Sequence, residues 1–509
     1  MIDFSKIQEI TLGGKVVVSI TDADGLALWN ADKTDGFIRG TFNITNATAS
    51  YPVVWRNYSA YEYALVDGEK IESPQTARTW SVGKHKVELK IKDGATNFSY
   101  MFYTLPYTSV DFSTAGLNRA KAYNFSYMVY SCKQLTELDL TPIDFSQATA
   151  VPSFYYLQAL TSLKLNSTYG VGMQMTTANL GGWFNNCALT EIDTSNWDVS
   201  NMTSLANTFY CCRSLKSLDL STWIPVNNVS LNVAFNYCEA LTDIKFGDGW
   251  GSMRKLTNAE RAFANCTSLT TLDLSKLDLS SATNVKNFVA DCAKVTEITL
   301  PKSFASGQLY SYFFSGDNKL KKINNLSGMV ASSATALDSV FYYNYALESV
   351  DGIEEWDTQN VTTFNSLFAN CTSLKTVDLS KWNTSKCTSF RRVFYNCPSL
   401  ESVDISGWNT LKITNLDDMF TGTYDLTSIV FGENFGNWTA SNISFDMSDC
   451  GYKKSFQLAD TTYESMLNMY DRAANGYTKK TWIRMRTQQN IPDGWIDKMT
   501  AKGYTITQS

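Results

Sequence analysis

From residue 98 onward the apolar and polar positions follow one recurring pattern. The cleanest copy is Phe263-Ala264-Asn265-Cys266-Thr267-Ser268-Leu269-Thr270-Thr271-Leu272-Asp273-Leu274-Ser275. With the Cys as position 0, equivalents stand at Leu105, Cys132, Leu157, Cys187, Cys212, Cys238, Cys266, Cys292, Asp317, Asn344, Cys371, Cys397 and Thr423. Most are 25 to 28 residues apart, and one step is 30. A fixed period of this size signals a solenoid. Position −3 is Phe or Val (Phe102, Val129, Phe263, Phe368, Phe394), and position −7 is usually large and apolar (Phe98, Phe125, Phe364, Phe390). Apolar residues four apart predict one face of a short helix. The Asn, Asp or Gly that often fills position −1 (Asn265, Asp291, Gly316, Asn370, Asn396) suits the exit from a helical turn. After position 0 the period changes to two. Positions +6 and +8 are apolar (Leu272 and Leu274, Val403 and Ile405) and +5 and +7 mostly polar, as in a short strand with one buried face. One such unit cannot bury its apolar side alone, so the copies must stack.

The expected architecture is an α/β solenoid of about 13 repeats, with a parallel sheet on one face. It is flanked by an N-terminal all-β domain and a small α/β C-terminal cap. Residues 1–32 read as a β anchor segment, with strands Lys15–Ile20 and Leu26–Trp29 about an Asp22-Ala23-Asp24-Gly25 turn. Residues 33–97 read as an Ig-like β-sandwich, in which Lys84–Lys92 alternates strictly and Asp67-Gly68 and Asp93-Gly94 supply turns. The solenoid runs 98–451. In 452–509, Thr461-Thr462-Tyr463-Glu464 is a capping-box pattern, Asn475-Gly476 a helix end and Thr481–Met485 a strand; a second helix opens at Pro492 and closes at Gly503.

The repeats, read as F-x-x-C-x-S-L-x-x-L-D-L-S-x-W-(D/N)-(T/V)-S, resemble those of BspA-like proteins and mycoplasma-type surface lipoproteins. Phe368…Cys371…Leu374…Val377-Asp378-Leu379-Ser380-Lys381-Trp382-Asn383-Thr384-Ser385 carries the likeness. The resemblance covers roughly residues 98 to 450. It implies a leucine-rich-repeat fold and surface adhesion, and it supplies no catalytic residues. The opening, with its Gly25-x-x-Leu28-Trp29 phrase, resembles the start of structural proteins of gut phages.

Composition narrows the function classes. A net charge of −6 with no basic run disfavours nucleic acid as a partner. No run of 18 apolar residues predicts a membrane span, and Met1-Ile2-Asp3-Phe4 lacks the pattern of a secretory leader. Eleven cysteines without a C-x-x-C pair, mostly in one column, read as small buried residues rather than a disulfide or zinc framework. A single histidine, His85, leaves no Ser-His-Asp or Cys-His site beyond it, and its strand face gives it a structural role. Glu354-Glu355, the most conspicuous local carboxylate pair, reads as a solvated loop.

The Asp column at +7 is the candidate binding surface: Asp139, Asp193, Asp219, Asp273, Asp378 and Asp404, with Asp351 in the same pattern. Asp378 and Asp404, on neighbouring rungs, are candidate calcium ligands through their carboxylate oxygens. The alternative is that these residues order the turn after each strand. No other cofactor is implied.

The function these patterns support is non-catalytic binding: a phage virion structural protein, on tail or capsid, contacting a host surface glycan or protein. The N-terminal segment would attach it to other virion proteins, and it would be made in the host cytoplasm. A bacterial cell-surface adhesin and a virion-associated polysaccharide depolymerase are the alternatives. A homo-oligomer is compatible with the sequence.

Overall fold

The computed structural model describes residues 19–21, 27–30, 36–169, 182–450, 481–485, 491–501 and 504–508. Within these ranges it omits 47, 49, 57, 120, 201, 203, 226–228, 253–255, 305–309, 331–333, 433, 437, 439, 441–442 and 448. The capping-box helix expected from Thr461 lies outside the described residues, as does the Asp22–Gly25 turn. The chain forms two compact units: Met1–Met173 with Asn186–Leu189 and Asn196–Asp198, and Gln174–Asn185 with Thr190–Ser195 and Val199–Ser509.

In the first unit, β1 (Ser19–Thr21) and β2 (Ala27–Asn30) form an antiparallel pair. The alternating residues 84–92 fall largely within β8 (Gly83–Ile91), the centre of an antiparallel sheet with β3 (Phe37–Ile44), β5 (Tyr61–Val66) and β6 (Glu69–Ile71). A separate ribbon joins β4 (Ser50–Tyr51) to β7 (Arg78–Thr79). His85 is buried on β8, its Nδ1 2.7 Å from Asp67 and its Nε2 2.8 Å from the Ser81 carbonyl. Burial opposes a charged ring, but the two acceptors outweigh it and raise its pKa.

The solenoid strands then extend the same sheet. β9 (Tyr107–Asp111) pairs antiparallel with β3 and parallel with β10 (Glu137–Asp139), which pairs with β11 (Ser162–Lys164). The first coil is thus sealed by edge pairing, which leaves its core strand without an open edge.

In the second unit the strands are β12 (Ser217–Leu220) with β13 (Asp243–Phe246), β14 (Thr271–Asp273) with β15 (Glu297–Thr299) and β16 (Lys322–Asn324), and β17 (Thr376–Asp378) with β18 (Ser402–Ile405) and β19 (Ser428–Phe431). All these pairs are parallel. Near its end, β20 (Ser444–Asp446) pairs parallel with β21 (Thr481–Met485), which pairs with β22 (Tyr504–Gln508); between the last two lies α1 (Trp495–Ala501).

The parallel solenoid matches the sequence pattern; the short helix in each repeat does not. Positions −8 to 0 are a run of tight turns. In the copy at Cys266, Ala262 N–H donates to Ala259 O, Ala264 N–H to Arg261 O and Cys266 N–H to Phe263 O. The alternate amides of Ala259, Arg261, Phe263 and Asn265 donate to Asn284, Lys286, Phe288 and Ala290 of the next coil. Half of the amides therefore close turns and half form a second ladder between coils. Closing such turns requires positive φ at positions −5 and −1, as at Arg261 (52°), Asn265 (60°), Ser366 (56°) and Asn370 (66°). Asn, Asp and Gly reach this region with little strain, which explains their use at −1. Val233, β-branched, is held there at 48°. Val233→Asn should therefore raise the unfolding free energy by about 1 kcal/mol; a loss of stability in chemical denaturation would count against strain at this position.

Inside, position −3 makes a continuous aromatic stack: Phe341, Phe368, Phe394 and Phe420, with centroids 5.3, 5.7 and 5.5 Å apart and nearly parallel rings. Trp356 and Trp382 stack at 6.0 Å, and each indole N–H donates to a carbonyl of the preceding coil.

Candidate functional site

Three groups of residues were candidates for chemistry, and the fold assigns each a place. The cysteines face inward. All are free, and all but half-buried Cys211 are buried. Most thiols of the column donate to the carbonyl of the position −3 residue one coil back, as Cys132 does to Phe102, Cys238 to Phe209, Cys371 to Phe341 and Cys397 to Phe368. Asn344 makes the same bond through Nδ2 to the Phe314 oxygen at 2.8 Å. At these rungs the column holds a small side chain whose donor meets that carbonyl. Burial pushes the thiols of Cys187, Cys397 and Cys450 up to about 12, far from nucleophile or metal-ligand chemistry. Cys450 extends the column one step past Thr423, with its Sγ 3.6 Å from Thr423 Oγ1.

The Asp column lies within the last two residues of a strand at every position but Asp193, and its carboxylates build the following turn. Asp139, Asp193, Asp219, Asp273, Asp378 and Asp404 each accept, at 2.9 Å, the amide two residues on: Thr141, Ser195, Ser221, Ser275, Ser380 and Ser406. The hydroxyl and amide of that residue hold the pKa values of Asp193, Asp219 and Asp378 below the usual carboxylate range. At Asp139 burial opposes this, but Thr141 and Lys164 prevail. Asp378 and Asp404 are direct register partners, yet each has an oxygen committed to its own turn. Among the described residues no group of three or more His, Cys, Asp or Glu could hold a metal ion. Glu354 and Glu355 diverge: Glu354 accepts the Gly352 amide at 3.1 Å, and Glu355 pairs with Lys381.

The surface that remains is the outer side of the turn run, at positions −5, −2 and −1. In the first unit it carries an aromatic strip. Tyr103, Tyr130 and Tyr155, all at −2, stack at 5.0 and 4.6 Å; Tyr100 and Tyr127, at −5, stack at 4.9 Å. Trp55, from the N-terminal sheet domain, joins at 6.2 Å from Tyr103, and Arg56 lies over the Tyr100 ring at 5.3 Å. Tyr127 is 45% exposed and Trp55 40%. Because the rings face one another, they offer solvent their edges and hydroxyls. Burial and the neighbouring tyrosines push Tyr130 up to about 12, so its hydroxyl stays neutral.

In the second unit the same columns line a groove of about 460 Å³ that includes Asn207, Tyr210, Asn236, Tyr237, Arg261 and Asp291. Asn265 Nδ2 donates to Asn236 Oδ1 at 3.4 Å, and the Arg213 guanidinium lies 5.2 Å from the Tyr237 ring centre. Burial raises the pKa of Asp291, with Arg261 acting against it. The sequence carried a signal for this face in Tyr100-x-x-Tyr103 and Tyr127-x-x-Tyr130, spaced −5 and −2 like the lining of the groove.

A family model described as "Mycoplasma protein of unknown function, DUF285" matches residues 178–300 and 309–438. The crystal structure of a leucine-rich repeat protein from Bacteroides ovatus ATCC 8483 is similar at 17% identity, covering 67% of this chain and 87% of that one, with a TM-score of 0.37. The T. pallidum leucine-rich repeat protein TpLRR is similar at 20% identity, covering 42% and 85%, with a TM-score of 0.28. No curated protein matches.

Proposed function

We propose that this protein is a non-catalytic binding scaffold that engages a host surface glycan or protein through the outer side of its turn run. The observation that carries the reading is that the aromatic strip of the first unit and the polar groove of the second occupy the same columns of the repeat. Repeat proteins bind partners along such extended surfaces. Tyrosine suits the task because it presents a large, rigid, amphipathic contact at low entropy cost. The aspartates of the +7 column are engaged in the turns that follow them.

The setting we propose is the surface of a phage particle, with the first 32 residues as the attachment to other virion proteins; the support is the likeness of the chain's opening to gut-phage structural proteins. A bacterial cell-surface adhesin would use the same face.

The test is binding of purified protein to arrayed host surface glycans and to intact host cells, with wild type beside Tyr127→Ala/Tyr130→Ala. The double variant should lose about tenfold or more in affinity, as removal of central aromatic anchors does, while keeping the wild-type circular dichroism spectrum. Unchanged binding would remove the aromatic strip from the account. Release of new reducing ends from a bound polysaccharide would overturn the non-catalytic reading.

A further inference from the structure

The first unit carries a second concavity, unrelated to the turn-run face. It has a volume of about 250 Å³ and lies where the end of β8 and the loop after it meet the segment following β9. Four cationic side chains line it: Lys90 and Lys92 from one segment, Arg119 and Lys121 from the other. Asp93 is the one acidic residue of the lining. This balance stands against a chain whose net charge is −6. Two of the four, Lys92 and Lys121, also contrast with lysines elsewhere that face carboxylates, such as Lys322 with Glu297 and Lys375 with Glu348. Lys92 and Lys121 form no ion pair with any described residue.

The backbone contributes as well. Gly36, Gly94 and Gly116 line the same concavity with φ of 71°, 79° and 74°, a conformation that keeps these walls free of side chains. The Lys90 ammonium lies over Gly36, where a Cβ would come within 2.9 Å of Nζ, and over the Phe37 ring at 5.1 Å. The amides of Gly94 and Gly116 donate no hydrogen bond to any described residue. Cations together with spare backbone amides are what an oxyanion needs.

We infer that this pocket binds the charged unit of an acidic saccharide, with its carboxylate or sulfate held among Lys90, Lys92, Arg119 and Lys121. The volume lies below the usual ~300–1,000 Å³ of drug-sized sites, which suits a single charged ring. The lining offers no exposed aromatic platform, since Tyr123 is buried, and so lacks what a single-stranded nucleic acid stacks on.

The experiment is calorimetric titration of the full chain at low salt with an oligogalacturonate, a heparin-derived oligosaccharide, a neutral dextran oligomer, inorganic phosphate and a single-stranded oligonucleotide. At least one of the two acidic oligosaccharides should bind saturably, and the stronger of the two identifies the anion as carboxylate or sulfate. Lys92→Glu/Lys121→Glu should weaken that binding at least tenfold, and Lys412→Glu, an exposed charge reversal in the second unit, should leave it unchanged. Both substituted lysines of the pocket are exposed, so the double variant should fold, as its thermal melting will show. No saturable binding of either acidic oligosaccharide, equal binding by both variants, or binding of phosphate, dextran or oligonucleotide as tight as the better oligosaccharide would overturn the assignment.

Discussion

Phe368→Ala is expected to cost the second unit about 3–5 kcal/mol, the range for truncating a fully buried aromatic. Phe368 is wholly buried between Phe341 and Phe394, at 5.3 and 5.7 Å, and its carbonyl accepts the thiol of Cys397 at 3.0 Å. Alanine would leave a cavity open to two coils at once. Since each coil is stabilised by its neighbours, the loss should spread along the stack and broaden the unfolding transition. Urea denaturation followed by tryptophan fluorescence measures this, with Trp356, Trp382 and Trp408 buried in adjoining coils. A change below about 1 kcal/mol would mean that the Phe column is not a packing spine.

The second large effect should come from Asp317, which occupies the cysteine column and is wholly buried. Its Oδ1 accepts the Cys292 amide at 2.8 Å, while Oδ2 has no partner. Burial raises its pKa well above the usual carboxylate value; Cys292 and Asp291 add to this, and the single amide bond only partly offsets it. For an acid whose pKa is raised on folding, the stability it allows is complete below the unfolded pKa. It is lost as pH rises through the folded one. Wild-type protein should therefore lose stability as pH climbs from about 4. Asp317→Cys, which restores the residue of the neighbouring rungs, should be more stable at neutral pH by about 1–3 kcal/mol, the cost of a buried polar atom without a partner. Denaturation at pH 5 and pH 8 should show a steeper fall for wild type than for the variant; parallel curves would contradict the assignment.

The parts of the fold that could be read from the chain are those where side-chain periodicity has one structural meaning. Alternation at Leu272 and Leu274, or Val403 and Ile405, admits a strand and little else, and the structure has strands there. Apolar residues four apart, such as Phe364 and Phe368, admit two readings. A helix and a run of tight turns with alternate amides donated to the next coil both return a side chain inward at that interval. What separates them is backbone conformation. The Asn at 265, 370 and 396 signalled it, since it marks positive φ at a turn as readily as at a helix end. Sequence spacing placed Asp378 beside Asp404, and of the two readings open for these residues the turn-ordering one is matched by the amides of Ser380 and Ser406. The basic pocket was invisible for a different reason: Lys90 and Lys92 are far along the chain from Arg119 and Lys121, and only the fold brings them around one cavity.

Counting reactive thiols in the native protein tests the central claim, that the inner columns fill space and leave recognition to the outer surface. With a thiol reagent under native conditions, Cys211 should react and the other ten of the eleven cysteines should stay protected. All eleven should react after denaturation without any reductant. Rapid native reaction of several column cysteines, or a shortfall of thiols in denaturant that a reductant restores, would show that the column does chemistry rather than packing.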